Sequence, residues 1–207
     1  MKTLLQINTS LFGAEGQSSR LSRDFVAAWR EQNPQAQVVV RDLATDTPPH
    51  LTAGGFGAFL AKAGERTAEQ NVVVNYSDEL IDELKRADVI VLGLPMYNFG
   101  VPSTLKAYFD HIARAGVTFK YSATGPVGLL TGKKVYVFAT RGGLYAGSRL
   151  DTQTDYVRDF FAFLGMSDVE FVYAEGLAIS EASKEAGLAK AYDAIEALTR
   201  EEWKQAA

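Results

Sequence analysis

The chain has 207 residues, 47% of them apolar and 22% charged, with 21 basic against 25 acidic side chains and a formal net charge of −4. This is ordinary globular usage with enough chain to bury a core; it excludes collagen-like, low-complexity and disordered proteins and argues against a broad basic footprint for nucleic acid. There is no cysteine, so disulfides, thiolate catalysis and iron–sulfur clusters are impossible, which fits a cytoplasmic protein.

Apolar runs and helical stretches alternate along the chain. Leu4 to Ile7 reads as the first strand, and it is not a membrane or signal segment because the chain turns polar at once. A helical stripe follows, with Leu21, Phe25, Ala28 and Trp29 on one face and Arg23, Arg30 and Glu31 on the other. Val38 to Val40 form the second strand. Residues 46–75 then make an insertion too long for a simple crossover, either a lid or interface element or a surface excursion with a short extra helix. Ser77 reads as an N-cap followed by Asp78 and Glu79, with Leu80, Ile81 and Leu84 as the buried stripe. Val89 to Leu94 is the third strand, and Pro102 opens a helix carrying Leu105, Tyr108, Phe109 and Ile112. Val135 to Ala139 is the fourth strand. Tyr156, Val157, Phe160, Phe161 and Leu164 form a helix stopped by Gly165. Val169 to Tyr173 is the fifth strand, and Leu188, Tyr192, Ile195 and Leu198 mark the last helix. Continuously apolar strands imply coverage of both faces, so the reading is an α/β, doubly wound, five-stranded parallel sheet with helices on both faces, one domain spanning 1–207.

In such a sheet ligands bind beyond the carboxyl ends of the strands. After the first strand, residues 8–19 supply hydroxyls, Gly13, Gly16 and a helix start near Ser18. That suits a single phosphate held by free N–H groups and the helix dipole, since Walker A and GxGxxG patterns are both missing. Plain capping and turn formation would use the same residues. After the third strand, Met96, Tyr97, Asn98 and Phe99 offer apolar faces for a flat ring and an amide for its edge, or else a packed turn. After the fourth, Thr140, Arg141, Gly142 and Gly143 bring backbone N–H groups close to a ligand, where they could stabilise negative charge on a reduced ring; a flexible turn is the alternative.

Other candidates carry less. His111 lies near an apolar stripe and reads as structural, and His50 reads as a surface residue. Asp78, Glu79, Asp82 and Glu83 read as a solvated face with Lys85 and Arg86, and Lys133-Lys134 as a solvated turn. Phe163 lies off its helix's main stripe and could face a partner or pocket. A serine hydrolase built on Ser10 or Ser103 lacks the G-x-S-x-G elbow and a placed histidine.

Taken together, Met96 to Phe99, Val101 to Lys106, Arg114 to Phe119, Thr131 to Lys134, Thr140 to Gly143 and Ala174 to Gly176 resemble the bacterial FMN-dependent NADH:quinone oxidoreductases, or azoreductases. The likeness spans nearly the whole chain. It implies a flavodoxin-like fold with strand order 2-1-3-4-5, bound FMN, NADH or NADPH as hydride donor, and a homodimer with sites at its interface. It implies two-electron, ping-pong reduction of quinones to hydroquinones and of azo compounds to amines. By the family pattern Ser10, Gly16, Gln17 and Ser18 hold the phosphate, Met96, Tyr97, Asn98 and Phe99 line the ring and ribityl chain, and Thr140, Arg141, Gly142 and Gly143 edge the ring. Gly16 stands where many relatives have serine. Aromatics of the partner roof the pocket, for which Tyr121 and Phe163 are the candidates. No metal, nucleic acid or membrane partner is implied. The rival is a flavodoxin-type electron carrier, which has no small-molecule substrate of its own.

Overall fold

The computed structural model describes residues 1–206, with side chains described through Arg200. Five parallel strands, β1 (Thr3–Asn8), β2 (Gln37–Asp42), β3 (Val89–Pro95), β6 (Lys134–Thr140) and β7 (Asp168–Ala174), lie in the order β2-β1-β3-β6-β7. This is the expected 2-1-3-4-5 order. Between β3 and β6 the chain adds an antiparallel hairpin, β4 (Phe119–Ser122) and β5 (Gly125–Gly128).

Helices α1 (Gln17–Gln32) and α6 (Glu181–Ala206) cover one face and α3 (Ala68–Arg86), α4 (Ser103–Ile112) and α5 (Thr154–Leu164) the other. The two cores follow from the strand pattern. Leu5, Ile7, Ile90, Leu92, Val135 and Val137 point to one side, and Leu4, Val89, Val91, Tyr136 and Phe138 to the other. Phe25 and Trp29 of α1 are fully buried against the second set, each contributing about 2–3 kcal/mol.

Several expectations are corrected. Val40 of β2 is 57% exposed: β2 is an edge strand, and its valine run does not mean burial on both faces. Ser77 is no cap. It lies inside α3, buried, and donates to the His111 carbonyl at 2.6 Å. The helix starts ten residues earlier at a capping box, where Thr67 Oγ1 accepts from Gln70 N and Gln70 Oε1 from Thr67 N. Residues 46–75 therefore hold a short helix α2 (Ala53–Leu60), a turn at 63–65 and the start of α3. The acidic run is only partly a solvated face, because Glu79 and Glu83 pair with Arg41 and Asp78 with Arg114. Lys133 and Lys134 are also engaged: Lys133 caps the carbonyls of Lys85 and Ala87, and Lys134 pairs with Asp168 and Glu170. On α6 the buried stripe runs through Ala191, Ile195 and Leu198, while Tyr192 is partly exposed and donates to Asp24.

The registers align the strand ends. Asn8 stands beside Gly93, Pro95 beside Thr140, and Thr140 beside Ala174. The loops after β1, β3, β6 and β7 thus leave one edge of the sheet side by side.

Candidate FMN-type cleft at the carboxyl edge of the sheet

The first rim is the loop after β1 and the start of α1. Gly93 in β3 lets α1 come close, since a Cβ there would lie 3.0 Å from Ser22 Oγ and 3.2 Å from the Ser18 carbonyl. Thr9 Oγ1 donates to the Gly93 carbonyl at 2.7 Å. The first turn of α1 is thereby pinned to the sheet end with the usual unpaired N–H groups at its N-terminus. Gly16 is the N-cap residue and supplies no side-chain cap. A Cβ on it would lie 2.5 Å from Ser10 Cβ, so Ser10 as placed in this chain leaves room for glycine alone, and a larger residue would require Ser10 to shift. The Ser18 hydroxyl is fully buried and has no hydrogen-bond partner. The neighbouring Ser19 hydroxyl is likewise buried without a partner, so the helix start holds two unspent hydroxyls. Capping by Ser18, the alternative left open above, does not occur.

The second rim is a tight turn at Tyr97–Gly100. Gly100 N donates to the Tyr97 carbonyl at 2.9 Å and Tyr97 N to the Gly100 carbonyl at 3.2 Å. Its two central residues, Asn98 and Phe99, have φ of 50° and 59°. This is the two-residue hairpin geometry that needs positive φ twice. Asn tolerates it; Phe rarely adopts it, and such strain tends to collect at functional sites. The Tyr97 hydroxyl lies 3.4 Å from Ser10 Oγ and accepts from Leu11 N at 3.2 Å, tying this rim to the first. Beneath the turn, Gln153 Nε2 donates to the carbonyls of Pro95 (3.0 Å) and Gly100 (2.9 Å), and Thr152 Oγ1 donates to the carbonyl of Phe99.

The third rim is the loop after β6. Among the described residues no protein acceptor takes the N–H of Gly142 or Gly143. A Cβ on Gly143 would come within 2.5 Å of the Tyr145 ring, which in turn packs against Phe99 at 5.5 Å. The Arg141 side chain does not face a ligand. It is buried, pairs with Asp151 at 2.7 Å and Glu175 at 3.3 Å, donates to Thr154 Oγ1 at 3.1 Å and lies over the Tyr173 ring. Glu175 also accepts from the N–H groups of Tyr145 and Ala146, both at 2.8 Å, which fixes the loop from behind. Burial pushes the Asp151 carboxyl up, but hydrogen bonds from Arg141 and Thr154 and the Arg141 charge outweigh it and bring it down to about 2.

A cleft of about 350 Å³ runs between the three rims, lined by Ser10, Phe12, Gly16, Gln17, Pro95, Met96, Tyr97, Thr140, Arg141, Gly142, Leu177 and Ala178. Seven of the twelve cofactor residues read from sequence therefore line it outright besides Arg141, whose side chain turns away. Ser18, fully buried, is not among the lining residues, and Asn98, Phe99 and Gly143 belong to the adjoining turns. Tyr121 and Phe163 are elsewhere. Tyr121, 75% exposed, lines a second, apolar cavity with Phe56, Phe59 and Leu60 of the insertion, and Phe163 packs on Phe119 at 4.2 Å. His111 is structural, its Nε2 bonded to the Pro49 carbonyl at 2.9 Å, and His50 is exposed. Sequence reasoning missed Asp151, Thr152 and Gln153, because residues 144–153 carry no apolar period to place them. Among the described residues no helix is long and apolar enough to cross a membrane, and no cluster of acidic or histidine side chains could hold a metal.

The family model described as the flavodoxin-like fold matches residues 1–198. An FMN-dependent NADH:quinone oxidoreductase of Cellvibrio japonicus is 57% identical over 196 residues, covering 95% of this chain and 98% of that one. The chain belongs to this flavodoxin-like oxidoreductase family. A second relative, FMN-dependent NADH:quinone oxidoreductase 6 of Burkholderia lata, is 53% identical over 197 residues, covering 95% of this chain and 100% of its own. Among solved structures, an FMN-dependent NADH-azoreductase of Bacillus anthracis in complex with FMN superposes with a TM-score of 0.88 at 28% identity, over 97% of this chain and 99% of that one. An azoreductase of the same species gives 0.87 at 29%, over 97% and 100%. In this chain the three rims meet at the carboxyl edge of the sheet.

Proposed function

We propose that the chain is an FMN-dependent oxidoreductase that takes hydride from NADH or NADPH and reduces quinones to hydroquinones and aromatic azo compounds to amines. The observation that carries this is the unspent donor set at the three rims: the helix start with its buried, unpartnered Ser18 hydroxyl and the free N–H groups of Gly142 and Gly143. These suit a phosphate at one end and a polar ring edge at the other. Bound FMN supplies the two-electron carrier between donor and acceptor.

The chain's own part is binding and orientation. Ser10, Gly16, Gln17 and Ser18 would hold the phosphate without a cationic side chain, because the guanidinium nearest the cleft, Arg141, is already paired. Met96, Tyr97, Asn98 and Phe99 would lie along the ring and ribityl chain, and Thr140 with Gly142 and Gly143 at the ring's edge. Negative charge at that edge would need no cationic side chain, since preorganised amide donors stabilise it without reorganising. Protons reach the product from water.

The whole chain would act as one unit, with 46–75 as its insertion, in the cytoplasm and as a homodimer. Tyr121 and Phe163, absent from the cleft of their own chain, would then roof the cleft of a second copy. Exposed Phe56, Leu60 and Tyr121 support such a contact. One pocket serving donor and acceptor in turn requires ping-pong kinetics. Anaerobic mixing of the FMN-loaded protein with NADH should bleach the flavin, and a following pulse of quinone should restore it. A flavin that NADH leaves yellow would support the electron-carrier reading instead.

A further inference from the structure

We infer that Gln153, with its neighbour Thr152, is a positioning residue that holds the Tyr97–Gly100 turn in its ligand-binding shape. The inference rests on the FMN reading above and names the part of the chain that makes that loop competent before the cofactor arrives.

The turn places Phe99 at φ 59°, next to Asn98 at 50°. A phenylalanine does not settle there by local preference. Two backbone hydrogen bonds close the turn on itself, but neither fixes it relative to the sheet. Met96 N, bonded to the Thr140 carbonyl, and the Tyr97 side chain, which meets the first rim, anchor one side of the loop; the turn's own carbonyls are held from the start of α5. The single Nε2 of Gln153 donates to two carbonyls five residues apart, Pro95 at the end of β3 and Gly100 at the far side of the turn. Thr152 Oγ1 donates to a third, that of Phe99. Three carbonyls of the loop 95–100 are thus held by two consecutive side chains.

Gln153 is not doing the usual work of its position. It is the N-cap residue of α5 but makes no side-chain cap bond. Its side chain is completely buried, and both of its bonds go to the loop. The orientation of the amide is set by its partners, because the reversed amide would put Oε1 against two carbonyl oxygens. Only a group with two donors on one atom serves both carbonyls. A glutamate has none when ionised and one when protonated, and an asparagine is one methylene too short.

The experiment is a flavin-fluorescence titration of FMN into the apoprotein of wild type, Gln153→Met, Gln153→Glu and Thr152→Val from pH 5 to pH 8, with the thermal midpoint of each apoprotein. Loss of two bonds in Gln153→Met should weaken FMN about 30-fold relative to wild type at every pH. Gln153→Glu should be at least as weak at pH 8 and recover part of its affinity toward pH 5, as the protonated carboxyl regains one donor. Thr152→Val, at an exposed site that does not threaten folding, should weaken FMN about fivefold with an unchanged midpoint. A merely structural glutamine would give no such pH-dependent rescue and no effect of Thr152→Val. The inference is overturned if wild type binds FMN and Thr152→Val keeps its affinity within about twofold, with the Gln153 variants either unaffected or failing to fold. If wild type binds no FMN, the functional reading falls first and takes this one with it.

Discussion

Replacing Arg141 by Gln separates a guanidinium that serves the ligand from one that serves the fold. The family pattern places Arg141 among the cofactor residues, yet its side chain has no exposed surface and pairs with Asp151 and Glu175, themselves 8% and 16% exposed. Removing one member of a buried charge cluster costs about 3–5 kcal/mol. The lower end applies here, because neither carboxylate would be left bare. Asp151 keeps the Thr154 N–H at 3.1 Å and hydroxyl at 2.8 Å, and Glu175 keeps the amides of Tyr145 and Ala146. For a chain of this length about 3 kcal/mol lowers the thermal midpoint by about 6–12 °C. The assay is thermal unfolding of the apoprotein followed by circular dichroism, with Asp151→Asn and the double variant completing a cycle. The double variant should lose less than the sum of the singles, since the pair is broken only once. An Arg141→Gln protein with wild-type stability and lost FMN binding would refute this placement of the guanidinium.

Asn98→Gly should keep the left-handed turn while removing the amide, and Asn98→Ala should lose both, so FMN affinity falls further in the alanine variant; equal affinity in the two would detach the turn's strain from binding. Asp151, held at about 2, has a folded-state pKa below its unfolded value, so its contribution is fully present above about pH 4 and disappears as pH falls toward 2. Wild type minus Asp151→Asn stability, measured by urea unfolding, should shrink across that window by about 2 kcal/mol, and a flat difference would contradict the ion pair. Gly128→Ala puts a Cβ against the backbone of Gly165 and Leu164, and should lower the thermal midpoint by about 5 °C or more; an unchanged midpoint would mean the hairpin does not seat against the end of α5.

The five sheet strands were legible because each carries a short Val- or Leu-rich run, three of them, β1, β3 and β6, almost wholly buried, and the order of the loops then followed from topology alone. The hairpin β4–β5 was not, since only Phe119 of its first strand is buried and its second contains two glycines and a proline. Ser77-Asp78-Glu79 imitates a helix start well enough to mislead, although Thr67 and Gln70 carried the more specific spacing. At the site, the residues on the three rims could be read from loop position and from the family likeness. Which part of each residue matters could not: the Arg141 guanidinium is spent on Asp151 and Glu175 and its backbone on Ala174 and Leu177, and the close approach of Gly16 to Ser10 is encoded by no local pattern. Gln153 acts on a loop more than fifty residues away, and only the folded chain brings the two together.

On the proposed reading, the start of α1 binds a phosphate through backbone amides and serine hydroxyls. Calorimetric titration of the apoprotein with FMN and, separately, with riboflavin measures that contribution alone. FMN should bind at least about a hundredfold more tightly than riboflavin; equal affinities for the two would contradict it.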